Sequence, residues 1–174
     1  MNKLKLTKYQ IILMILFFII YTITVQISSR SILEKQIQDM PNNMNMKADV
    51  TLFWLNIVTI VFALILIIFQ SLIYKIIVGV LGSKEKFSIG LNLFLFLGAV
   101  LPSSIIIALL TLFNHGMSVS QNIWVNTLSI LLSTFIYSVL LWYFSVIEKR
   151  KILIVFLVIA ILNIIISIFK FLGT

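Results

Sequence analysis

Few residues in this chain could carry chemistry. It holds one histidine, His115, and no cysteine. Thiol catalysis, disulfides, palmitoylation and cysteine-ligated zinc are therefore excluded. A metal site needs several ligands in fitting geometry, and His115 has no second histidine to join. It stands in Asn114-His115-Gly116, which reads as a turn. No HExxH and no GxxxxGK[ST] phosphate loop occurs, so zinc hydrolysis and P-loop nucleotide binding have no motif to rest on. A Ser–His dyad is hard to build from a single loop histidine. No catalytic, cofactor-binding or metal-binding residue is expected, and the chain is read as a non-enzyme.

Composition decides which elements position the remaining polar residues. Of 174 residues, 61% are hydrophobic and only 10% are charged. The mean hydropathy is +1.19. Soluble domains average about 45–50% apolar and about 25% charged, so this chain belongs in a bilayer. A crossing helix needs about 20 mostly apolar residues. The stretches 9–29, 51–74, 88–113, 127–147 and 152–169 meet that requirement. Barrel strands alternate apolar and polar residues, whereas Ile152 to Ile166 is apolar on every side. The expected fold is all-α, a polytopic bundle of five transmembrane helices forming one domain over residues 1–174. Gln26, Ser28, Ser29 and Arg30 follow the first span in place of a small-residue cleavage site, so that span is read as uncleaved. A helix from Thr51 to Leu81 would be roughly 45 Å long. The excess over a core of about 30 Å would tilt, emerge or bend near Lys75. The link Glu148-Lys149-Arg150-Lys151 forces an antiparallel hairpin.

Basic residues set the orientation. With the N-terminus inside, the cytoplasm receives Lys3, Lys5, Lys8, Lys75, Lys84, Lys86, Lys149, Arg150 and Lys151. Only Arg30, Lys35, Lys47 and Lys170 fall outside. The positive-inside rule then places the N-terminus in the cytoplasm and the C-terminus outside the cell membrane. The net charge of +8 mainly fixes this topology. It also favours anionic head groups by about 1 kcal/mol per basic residue near the surface. Nucleic acid is not an expected partner. Tyr9, Tyr74, Trp142 and Tyr143 fall near the inner interface, and Trp54 and Trp124 near the outer one. The extracytoplasmic loop 28–50 is the only substantial one. Its segment Ser31 to Met40 reads as a short helix on the outer membrane surface, or as a docking surface. Pro41, Asn42 and Asn43 then turn the chain towards Met44 and Met46.

No Asp, Glu, Lys or Arg stands near the middle of a span, although coupled transporters usually carry such residues. The uncharged polar residues are read mainly as packing elements. Asn163, mid-span, should face protein, because an unpaired amide in lipid costs several kcal/mol. Thr127, Thr134, Ser138 and Ser145 share one face of the fourth span, where Thr134 and Ser138 form a small-xxx-small pair. That pair reads as an internal helix contact, or as a homodimer face or a contact with another membrane protein. Pro102 should kink the third span by depriving the Gly98 carbonyl of its usual partner, with Ser103 and Ser104 satisfying the freed groups. It reads as a fixed kink or a hinge. Gly82 should end the second helix.

Tyr74 to Ile105 reads YKIIVGVLGSKEKFSIGLNLFLFLGAVLPSSI. This stretch resembles the central part of the Yip (Ypt-interacting protein) family, especially its bacterial members. Those proteins show an apolar helix end, a turn like Gly82 to Phe87, and a further helix with a proline near the position of Pro102. Five spans, a cytoplasmic N-terminus and a methionine-bearing outer loop fit the same family. The abundance of Ile, Lys and Asn accords with a bacterial product. The resemblance implies a non-catalytic adaptor or accessory subunit of a membrane complex, such as an exporter. Eukaryotic members use a long cytosolic N-terminal region to contact small GTPases. The segment before Tyr9 is short, so a GTPase partner is not expected here. The expected partners are membrane lipids and another integral membrane protein, or a second copy of the chain. Two alternatives stay open. One is an immunity protein against a membrane-active peptide, contacted through loop 28–50. The other is a transport or lipid-handling component, with Pro102 and Asn92 lining a path.

Overall fold

The computed structural model describes residues 4–39 and 48–172. Thr7 starts the first helix. Its Oγ1 accepts from Gln10 N at 3.4 Å, while Gln10 Oε1 accepts from Thr7 N at 2.8 Å. This reciprocal capping box opens α1, Lys8–Gln38. The others are α2 (Ala48–Val80), α3 (Ile89–Phe113), α4 (Ile123–Tyr143) and α5 (Ile152–Leu172), the last preceded by a 3-10 turn, Lys149–Lys151. All five are long and apolar enough to cross a membrane. No sheet strand occurs among the described residues, and the fold is an all-α, multi-pass bundle.

Two boundaries, those of α1 and α4, differ from those read off the sequence, and at α2 the structure decides between alternatives that the sequence leaves open. First, Ser31 to Gln38 continue α1 in one helix instead of forming a separate surface helix. That extension is held at the rim of the bundle. Leu33 is buried, and Ser118 N donates to Ser31 Oγ at 2.9 Å. The turn expected at Pro41 to Met46 lies outside the described residues. Helix α2 runs unbroken past Lys75 to Val80. Lys75 needs no bend, because its Nζ lies 5.3 Å from the Phe87 ring centroid. Second, α4 ends at Tyr143 and not at Ile147. Ser145 takes a left-handed φ of 57°. Val146 N bonds Leu141 O at 2.8 Å, and Ser145 N bonds Trp142 O at 2.8 Å. This is a Schellman ending, with buried Val146 against buried Leu141. Ser145 therefore leaves the face on which Thr127, Thr134 and Ser138 were aligned.

The middle of the bundle is α3, which packs against α1, α2 and α4. Ser88 caps it, accepting from Leu91 N at 3.1 Å. Leu95, Phe96, Leu97 and Ala99 are buried in its first half. Gly98 packs beside Phe17 and Leu140, where a Cβ would make ordinary contacts at 3.4 Å and 3.7 Å. The helix continues through Pro102. Neither following serine turns to Gly98. Ser104 Oγ bonds Leu101 O at 2.9 Å, and Ser103 Oγ crosses to Ser129 O on α4 at 3.2 Å.

Three chain segments meet at one end of the bundle. Leu4 N bonds Lys86 O and Ser88 N bonds Leu4 O, each at 2.9 Å. Lys84 N bonds Val146 O at 2.8 Å. Gly82 ends α2 with a φ of 88°, as a glycine readily does. Lys151 Nζ then donates to Gly82 O at 2.6 Å and to Leu81 O at 3.0 Å. This lysine caps the negative end of the α2 dipole. Replacing it, Lys151→Met, should lower stability by about 1 kcal/mol. Reversible unfolding of the purified protein in detergent would measure the loss, and Arg150→Met, at an exposed neighbour, should change it by less than about 0.5 kcal/mol.

Candidate functional site

The polar residues of four helices converge in a buried core. Asn92 on α3 is fully buried. Its Nδ2 donates to Ser71 O at 2.6 Å and to Ser71 Oγ at 2.8 Å on α2. Its Oδ1 accepts from Tyr137 Oη on α4 at 2.6 Å. One amide thus joins three helices with both of its ends used. The same constraint operates beside it. Asn163 on α5 donates through Nδ2 to Tyr74 Oη and, at 2.7 Å, to Ile159 O. Asn163 Oδ1 accepts from Gln70 Nε2 at 3.1 Å, and that same Nε2 lies 3.3 Å from Tyr74 Oη.

Aromatic rings join the two polar groups. Tyr74 and Tyr137 have centroids 5.3 Å apart, and Tyr74 meets Phe96 edge-on at 5.0 Å. Edge-on and tilted rings contribute about 0.5–1.5 kcal/mol beyond their area. Thr134 and Ser138 are buried inside this one chain. The pair is consequently an internal contact and presents no homodimer face. Ser138 Oγ bonds back to Thr134 O at 2.9 Å.

Asn163 was expected to face protein, and it does. Asn92 belongs to the packed core, where its amide is consumed by Ser71 and Tyr137. Tyr74 is not an interfacial ring. It is buried among α2, α3 and α4, while Tyr9 and Tyr143 are exposed. Sequence reasoning missed Ser71 and Tyr137 altogether. The available signal was depth: Ser71, Tyr74, Asn92 and Tyr137 all fall in the halves of their helices nearest the 82–88 turn.

His115 stands apart from this core. It is exposed, with a φ of 53°, at the end of α3. Gly116 N bonds Thr111 O at 2.9 Å there, so His115 occupies the left-handed position of a helix stop. Among the described residues no three His, Cys, Asp or Glu side chains come together as metal ligands. A cleft of about 420 Å³ opens between α1, α3 and α4, in the half of the bundle away from the 82–88 turn. No family model, curated protein or solved structure matches the chain.

The buried amide makes a clear prediction. Asn92→Ala strands the Tyr137 hydroxyl and opens a cavity, so it should destabilise by about 2–4 kcal/mol. Tyr137→Phe removes one bond with little loss of volume and should cost about 1–3 kcal/mol. Thermal unfolding in lipid nanodiscs measures both, and equal stability of Asn92→Ala and the parent would refute the role given to this amide.

Proposed function

We propose that the chain is a non-catalytic, Yip-like integral membrane protein, acting as an adaptor or accessory subunit of a membrane complex such as an exporter. In this reading it resides in a bacterial cell membrane, with the N-terminus cytoplasmic and the C-terminus outside. The observation that carries the reading is how the interior polar groups are spent. Asn92, Ser71, Tyr137, Gln70, Tyr74 and Asn163 bond one another and so hold helices together. A core of that kind positions surfaces, and the groups it spends are not free to bind or turn over a substrate.

The surfaces so positioned are apolar. On α2, Phe53, Phe62 and Phe69 are each 60% exposed and Trp54 is 55% exposed. In lipid, helix association relies on packing and not on the hydrophobic effect. A long rigid helix with outward aromatic rings therefore offers contact area without needing charge. The turn from Gly82 to Phe87, which carries the family resemblance, is braced by Leu4, Val146 and Lys151. A braced turn keeps α2 and α3 in fixed relation as a docking unit.

Site-specific photocrosslinking in cells tests this reading. A crosslinking residue at Phe62 on α2 should yield a discrete adduct with another integral membrane protein. The same residue at Ile161 on α5 should give weaker or no protein adducts. Lipid adducts alone at both positions would contradict an adaptor role.

A further inference from the structure

The cleft between α1, α3 and α4 carries chemistry that the adaptor reading does not use. Its lining is mostly hydroxyl side chains and includes no Lys, Arg, Asp, Glu or His. Five of its nine hydroxyls, those of Thr24, Ser29, Ser103, Ser104 and Ser133, have committed their hydrogens to backbone carbonyls. Thr24 Oγ1 donates to Tyr21 O at 2.8 Å, and Ser29 Oγ to Val25 O at 2.8 Å. Ser104 and Ser133 donate to Leu101 O and Ser129 O, at 2.9 Å and 2.8 Å. A hydroxyl has one hydrogen and two lone pairs. Each of these oxygens therefore keeps acceptor capacity and has no hydrogen left to give. Tyr21 also lines the cleft, and its Oη makes no hydrogen bond among the described residues.

An acceptor-rich, uncharged cleft selects its occupant by elimination. A phosphate would enter with no cation in the lining to balance its charge. An ammonium group would enter a low-dielectric site without a counter-charge. Alcohol groups fit both features: several O–H donors for the committed oxygens, and an acceptor for Tyr21. The cleft also borders an apolar groove of about 180 Å³ between α3 and α4, with Ser103, Ile107 and Ser129 common to both. A cleft that sets hydroxyls among apolar side chains, beside a wholly apolar groove, matches an amphiphile better than a free sugar. We propose that this cleft binds the uncharged polyhydroxyl head group of a membrane glycolipid, with an acyl chain along the neighbouring groove. The proposal does not depend on the adaptor reading.

The test uses the full chain in phosphatidylcholine nanodiscs containing either monoglucosyldiacylglycerol or phosphatidic acid, the latter supplying charge without a polyol. Native mass spectrometry should find the glucolipid retained about tenfold more than phosphatidic acid, as roughly one to two net hydrogen bonds would give. The double variant Tyr21→Phe/Ser104→Ala should lose most of that preference with little change in thermal unfolding, because neither hydroxyl links two helices. If the double variant does not fold, Tyr21→Phe alone carries the comparison. Displacement by millimolar methyl glucoside would support the same chemistry and move the source to a soluble sugar. Equal retention of phosphatidic acid, or unchanged retention in a folded variant, would overturn the proposal.

Discussion

Water is missing from the middle of a bilayer, so each polar side chain there must find its match within the protein. That constraint accounts for the amides and tyrosines inside this bundle, although the buried Thr111 hydroxyl has no hydrogen-bond partner among the described residues. Asn92 cannot be left alone at an apolar helix interface, and its amide reaches Ser71 on one side and Tyr137 on the other. The three helices that carry these residues are fixed by one side chain. Asn163 extends the same logic to α5 through Tyr74 and Gln70. Interhelical bonds of this kind contribute only about 0.6 kcal/mol net on average. Leaving one amide unpaired costs several times more. The network therefore selects one arrangement of helices more than it strengthens it.

The opposite problem exists where the helices stop. Each helix end leaves four backbone groups without intrahelical partners. Here the N-terminal segment, the 82–88 turn and the 144–151 link satisfy one another's groups. Lys151 is the clearest case, since its ammonium group serves the Leu81 and Gly82 carbonyls just past the end of α2. A charge that sequence reasoning assigned to topology thus also has a structural duty. The two roles agree, because a lysine tied to the end of a helix also marks the side of the membrane where that end lies.

What was legible in the sequence, and what was not, follows from the range of the forces involved. Crossing helices depend on composition over about 20 residues, so all five were visible, and Gly82 was readable as a stop. Helix ends depend on caps. Ser145 in a left-handed conformation ends α4 early, and nothing in its identity announced that, since glycine is the usual residue there. The continuation of α1 to Gln38 was hidden for another reason: Leu33 is buried, and Ser31 is bonded by Ser118, far along the chain. Asn163 could be read as a packing residue because an apolar span isolates it. Tyr74 could not, because a tyrosine near a span end suits an interface and a core equally well. The hydroxyl cleft needs three helices side by side, and no local pattern encodes that placement.

A bundle of five passes puts successive turns on opposite sides of the membrane, and the absence of cysteine makes that directly measurable. Single substitutions Lys84→Cys, Met117→Cys and Arg150→Cys, one in each of the last three connections, can be probed in intact cells with a membrane-impermeant maleimide. Position 117 should react from the medium, while 84 and 150 should react only after the membrane is permeabilised. Reaction of position 84 or 150 from the medium alongside 117 would contradict the five-pass arrangement.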